Sequence, residues 1–140
     1  MIHGVHLLLN SVKPEADRAF FRDVLNFPYV DAGEGWLIFA LPPAEVGIHP
    51  AEKDLTHPHG GQNLAAATVY LMCDRLRETI DLLASKGVDH TEIQEAGWGI
   101  ASSIRLPGGS LLGLYEPHHL LATSLSEVRN QRQVSLSSRG

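Results

Sequence analysis

The stretch DRLRETIDLLASKGVDHTEIQEAGWGIASSIRLPGGSLLGLYEP, residues 74–117, decides how the chain is read. Its first third is a helix: Leu76, Ile80 and Leu83 recur on one face, Lys86 suits the negative end, and Gly87 can close the last turn. Three short runs follow, VDHTEIQEA, GIASSIRL and SLLGLYEP, each reading as a strand, with Pro107-Gly108-Gly109 turning the last hairpin. Immediately upstream, TVYLMC (68–73) reads as the strand that feeds the helix. The unit is βαβββ.

Working back towards the start, the same plan recurs. Residues 4–12, GVHLLLNSV, have the short apolar run of a buried strand. KPEADRAFFRDVLNFP then predicts a helix, with Pro14 in its first turn, Glu15 and Asp17 at its positive end, and Ala16, Phe20, Val24 and Phe27 at helical spacing. Asn26 supplies a left-handed residue to end it, and Pro28 stops its continuation. Three strands are expected next: PYVDAG, then GWLIFAL after the Gly33-Glu34-Gly35 turn, then EVGIH after Pro42-Pro43.

At an offset of 61, Lys13 meets Asp74, Phe21 meets Leu82 and Asn26 meets Gly87. A module whose sheet has one bare face cannot stand alone, so two modules must pack together. The predicted fold is α+β, with two βαβββ modules forming a cup-shaped mixed sheet. Residues 1–49 form the first module, 50–66 a polar linker loop and 67–117 the second module. In the tail, 118–140, Ser124-Leu125-Ser126-Glu127 has capping-box spacing, which leaves a short docking helix and a frayed end as open alternatives.

Composition excludes several classes. The net charge is −5 and the 11 Lys and Arg are scattered, so no basic footprint for nucleic acid exists. Cys73 is the single cysteine, sits in an apolar run and reads as a small buried hydrophobe. No apolar stretch approaches the roughly 18 residues of a membrane span. The start, MIHGVHLLLN, lacks a basic leader, so the expected location is the cytoplasm. No Ser-His-Asp order, phosphate loop or paired-cysteine motif occurs.

Taken together, ADRAFFRDVLNFP, GWLIFAL, LRETIDLLASKGV and RLPGGSLLGLYEP resemble the vicinal oxygen chelate superfamily, which includes glyoxalase I, extradiol dioxygenases and the fosfomycin and bleomycin resistance proteins. The resemblance covers about residues 4–117. Its most specific parts are the FF-x-x-VL helix and the PGG-x-x-x-GLYEP close.

The resemblance implies a cup that, in the family's enzymes, holds a divalent metal on His and Glu from the first and last strand of each module. There the ion acts as a Lewis acid. Carried over position by position, the first module offers His6, with His3 a poorer fit, and His49. The second offers Ala67 or Thr68, and Gly113 where a Glu belongs. Glu116 lies three residues further on, so strand alternation sends it to the opposite face. Two histidines without a carboxylate make a weak catalytic site. For His6 and His49, half a metal site, hydrogen-bonding groups for a ligand, and satisfied polar residues all remain open.

Alternation puts His6, Leu8 and Asn10 on the cup side of the first strand, and Gly47 on that of His49. It puts Tyr70, Met72 and Tyr115 there in the second module, with Trp36 and Trp98 near the rim. The expected ligand-binding set is therefore His6, Leu8, Asn10, His49, Tyr70, Met72, Trp98 and Tyr115. Such a lining is that of a small-molecule pocket. The reading is a protein that binds a small, partly apolar organic molecule, with no cofactor and as a homodimer. Its alternatives are a Zn, Ni, Mn or Fe enzyme acting as a glyoxalase-like lyase, isomerase or extradiol-type dioxygenase, and a dimerising scaffold.

Overall fold

Residues 3–124 are described by the computed structural model. Along them run α1 (Pro14–Asp23), β1 (Tyr29–Asp31), β2 (Leu37–Phe39), β3 (Thr56–His59), β4 (Gln62–Ala65), β5 (Tyr70–Met72), α2 (Leu76–Ser85), β6 (Gln94–Ala96), β7 (Gly99–Arg105), β8 (Leu111–Pro117) and a 3-10 turn, Ala122–Ser124.

The second half is a complete βαβββ unit. Its sheet runs β5-β8-β7-β6, with β5 parallel to β8 and the other pairs antiparallel. Leu76, Ile80 and Leu83 of α2 cluster with Ile100, Ile104, Leu112 and Leu114 of the sheet. Burying each such side chain stabilises the fold by about 1.5–3 kcal/mol. Even positions of β7 and β8 thus face the helix, which leaves Ala101, Ser103, Leu111, Gly113 and Tyr115 on the open face.

No side chain at the cap position closes α2, because Arg75 makes no capping hydrogen bond. The need is met from 40 residues away, where Glu116 Oε1 accepts the Leu76 N–H at 3.0 Å. A carboxylate at the positive end of a helix is also electrostatically favoured.

In the first half, α1 sends Phe20 into the same buried cluster as α2. Phe21 packs on Phe39 of β2, with ring centroids 5.5 Å apart, and on Phe27 at 5.9 Å. Asn26 and Gly87, aligned by the repeat, both adopt left-handed backbone, with φ of 58° and 80°. Buried Asp17 accepts hydrogen bonds from the Ser11 hydroxyl (2.5 Å) and the Gly108 N–H (2.7 Å), tying the start of α1 to the turn before β8.

Three expectations need correction. Residues 4–12 form no strand, and neither does EVGIH at 45–49. Val5 (80% exposed), Leu7, Leu8, Val46 and Ile48 (92%) stand open to solvent. The bracketing Pro42-Pro43 and Pro50 also remove three backbone donors. Finally, the segment read as a linker loop contains a hairpin, β3–β4, because Gly60 and Gly61 both take positive φ and form its two-residue turn.

Both α-helices have 10 residues, and no helix among the described residues is long and apolar enough to cross a membrane. The capping-box residues 125–127 and the rest of the tail lie outside the described residues.

Candidate functional site

The open face of the second sheet carries an aromatic array. Tyr70 on β5 and Gly113 on β8 are direct ladder partners, as are Met72 and Tyr115. The Tyr70 ring lies across Gly113. A Cβ on Gly113 would meet the ring's Cδ1, and also Cε1 at 2.7 Å and Cγ at 2.8 Å. The ring therefore occupies the space into which any side chain at 113 would project.

From Tyr70 the array continues to Tyr115 (centroids 6.1 Å apart, 64° between planes). From Tyr115 it runs to Trp98 (5.8 Å) and to His119 (5.7 Å). Each aromatic pair adds roughly 0.5–1.5 kcal/mol beyond area burial. The Tyr115 hydroxyl donates to the Trp98 carbonyl at 3.1 Å, which holds the rim turn against β8. Burial, followed by the nearby Glu45 carboxylate, pushes the Tyr115 phenol up from its ordinary value. Tyr70 is 50% and Trp98 46% exposed, so the array is open to a ligand.

Glu45 reaches this rim from the first half. Its Oε2 accepts the Ala122 N–H at 2.8 Å, and its Oε1 lies 3.9 Å from His119 Nε2. The segment leading to the 3-10 turn is thereby held beside Tyr115. It borders an open hollow of about 420 Å³ lined by Cys73, Asp74, Glu116, His119 and Leu121 among others.

Glu116 faces away from the array. Besides capping α2, its Oε2 contacts His118 Nε2 at 2.9 Å. The His118 hydrogen bond, then the Leu76 N–H, hold this carboxyl below the usual range. Burial pushes the Cys73 thiol up from its ordinary value, and the thiol donates to the Leu71 carbonyl at 3.9 Å.

The expected site residues fall into two groups. Tyr70, Trp98 and Tyr115 come together, with Met72 beside Tyr115 on the same face. His6, Leu8 and Asn10 lie on the exposed segment that forms no strand, and no hydrogen bond or ring contact joins His6 to another described residue. His49 is exposed, with Nδ1 2.8 Å from the Pro50 carbonyl oxygen.

Sequence reading missed Glu45, whose position depends on a contact 77 residues apart. It also missed Ser103, the cross-strand partner of Gly113, whose hydroxyl lies 2.8 Å from that of Thr91. Ser103 was findable only once the β7–β8 register was known. Nothing in the sequence marks His119 beyond its place just after the last strand.

The metal that the family resemblance implies does not fit the donors of the second half. Position 113 has no side chain, a tyrosine ring covers it, and Glu116 serves the helix instead. Among the described residues, no three His, Cys, Asp or Glu side chains stand together as a metal-binding group.

No family model matches the chain, and no curated protein matches it in sequence. Solved structures do. The chain has the glyoxalase/bleomycin resistance/dioxygenase fold, that of the vicinal oxygen chelate superfamily. It is similar to TnmS3, an antibiotic binding protein from Streptomyces sp. CB03234, at 21% identity and a TM-score of 0.58, over 83% of this chain and 97% of that one. A protein from the mobile metagenome of V. Pseudocholerae matches at 21% identity and 0.53, over 83% and 95%. Lactoylglutathione lyase from Agrobacterium tumefaciens matches at 16% and 0.52, over 81% and 92%.

Proposed function

We propose that the chain binds a small, partly apolar organic molecule against the array of Tyr70, Trp98 and Tyr115, without a complete metal site. The observation that carries this reading is the Tyr70 ring lying over Gly113. Where a metalloenzyme of this fold would present a carboxylate, this chain presents a flat aromatic surface. A half-exposed array backed by a rigid sheet offers stacking area at little entropic cost. That the similar TnmS3 is an antibiotic binding protein supports a binding role.

The test combines ligand screening with metal analysis of protein purified without a His-tag. Aromatic compounds at 100 times their Kd are expected to stabilise the fold by about 2.7 kcal/mol and to lose that effect in Tyr70→Ala. Stoichiometric Zn, Ni, Mn or Fe that disappears in His6→Ala would overturn the reading in favour of a metal-dependent lyase, isomerase or dioxygenase.

The same reading assigns the rest of the cup to a second copy of the chain. Val5, Leu7, Leu8, Leu9, Val46 and Ile48 are all exposed apolar side chains of the first half. β5 is an edge strand, with its side away from β8 unpaired among the described residues, so backbone groups are available there as well. Light scattering is expected to show a dimer that Leu8→Arg converts to monomer. A monomer at micromolar concentration in the parent protein would remove this assignment.

A further inference from the structure

The aromatic array has a charged neighbour of one sign. Glu45 is the carboxylate beside it: its field acts on the Tyr115 phenol, and its Oε1 lies 3.9 Å from His119 Nε2. The His119 ring in turn stands 5.7 Å from the Tyr115 ring with 37° between planes. The imidazole therefore neighbours both the phenol ring and the carboxylate. That is the arrangement that best holds a cation, since the ring quadrupole and the anion act in the same direction.

No fixed cation among the described residues already serves this position. Among the described residues, no Lys or Arg contacts Glu45 or any ring of the array. Arg22 pairs with Asp23, Arg75 with Glu78 and Arg77 with Glu95, and Arg18 lies over Trp36 in the first half. Arg105 shares the open face of β7 but bonds the Gly109 carbonyl at its far end, six residues from Gly99 and so roughly 20 Å from the Trp98 rim. Glu116 faces the helix and is committed to Leu76 and His118. The net charge of −5 further favours approach of cations.

We infer that the site selects aromatic ligands bearing a positive charge, with the cationic group taking the place beside the Tyr115 ring and the Glu45 carboxylate that the His119 imidazole holds. This rests on the binding reading above and adds the charge of the ligand. His119 acts as an internal stand-in, and a ligand cation displaces it.

The test uses three flat probes of similar size: N-methylquinolinium (cation), quinoline (neutral) and naphthoate (anion). Affinities are read by calorimetry or Trp98 quenching, for all three probes in one buffer at one pH. N-methylquinolinium is expected to bind tightest. Glu45→Gln is expected to lower the ratio of its affinity to that of quinoline about fivefold, and His119→Ala to raise that ratio about threefold. Equal affinities for cation and neutral probe, or a ratio unmoved by Glu45→Gln, would overturn the inference. If quinoline and naphthoate bind through Tyr70 with no preference for the cation, the aromatic site stands and only its charge selectivity falls. If none of the three binds, both fall.

Discussion

Tyr70 lies directly opposite Gly113 across the parallel pair of β5 and β8, with its ring folded over the glycine. The pair explains why a tyrosine on an edge strand and a glycine in a central strand belong to one design. The glycine leaves a flat floor, and the ring rests on it.

It follows that Gly113→Ala forces the Tyr70 ring off the sheet. Overpacking of this kind costs about 1–3 kcal/mol. The same substitution made in a Tyr70→Ala background is expected to be nearly neutral. Urea unfolding of the four proteins measures the coupling, and additive losses would contradict the packing described.

Loss of the Tyr115 hydroxyl is a smaller change. Tyr115→Phe removes the donor to the Trp98 carbonyl while keeping all three ring contacts. A destabilisation of about 0.5–1.5 kcal/mol is expected, towards the lower figure because the site is open. Trp98 emission is expected to shift to the red as the rim turn loosens.

Acid stability depends on Glu116. Its carboxyl is held below the ordinary value by His118 and the Leu76 N–H, so between the two pKa values the unfolded chain binds more protons than the folded one. The stabilisation is present above the ordinary carboxylate range and is lost as pH falls through the lowered folded value. Thermal melts of Glu116→Gln are expected to show a lower Tm near neutrality and a shallower acid decline than the parent.

Asp17 joins the two halves. Asp17→Ala leaves the Gly108 N–H and the Ser11 hydroxyl without their acceptor, at a cost of about 1–3 kcal/mol. Gly108→Ala tests the same junction from the other side, because a Cβ there would stand 2.6 Å from Asp17 Oδ2. Chemical denaturation of both variants is expected to show losses that do not add.

What could be read beforehand, and what could not, divides along the range of the interactions. Asn26 and Gly87 were legible as helix ends because a left-handed closing residue is a local requirement, and both have positive φ. Tyr70, Met72 and Tyr115 were legible as one face because strand alternation is also local. The β3–β4 hairpin escaped because His57-Pro58-His59 carries no apolar alternation, although Gly60-Gly61 was the signal. Residues 4–12 misled in the opposite way: GVHLLLNSV has the pattern of a strand, but a ladder needs a neighbour, and that depends on a remote segment. Glu45, Glu116 and Ser103 act through tertiary contacts that no window of sequence contains.

Among the described residues β5 has a single ladder neighbour, β8, which is also the last of their strands to be made. On a ribosome, the β7–β8 hairpin closes locally, whereas Tyr70 waits for Gly113, 43 positions later. The N–H of Leu76 waits 40 positions for Glu116, so neither the start of α2 nor its flanking strand is secured until synthesis has passed residue 117. Nascent chains halted before residue 111 are expected to be cut readily by protease around residues 67–76, and those extended past 117 to resist.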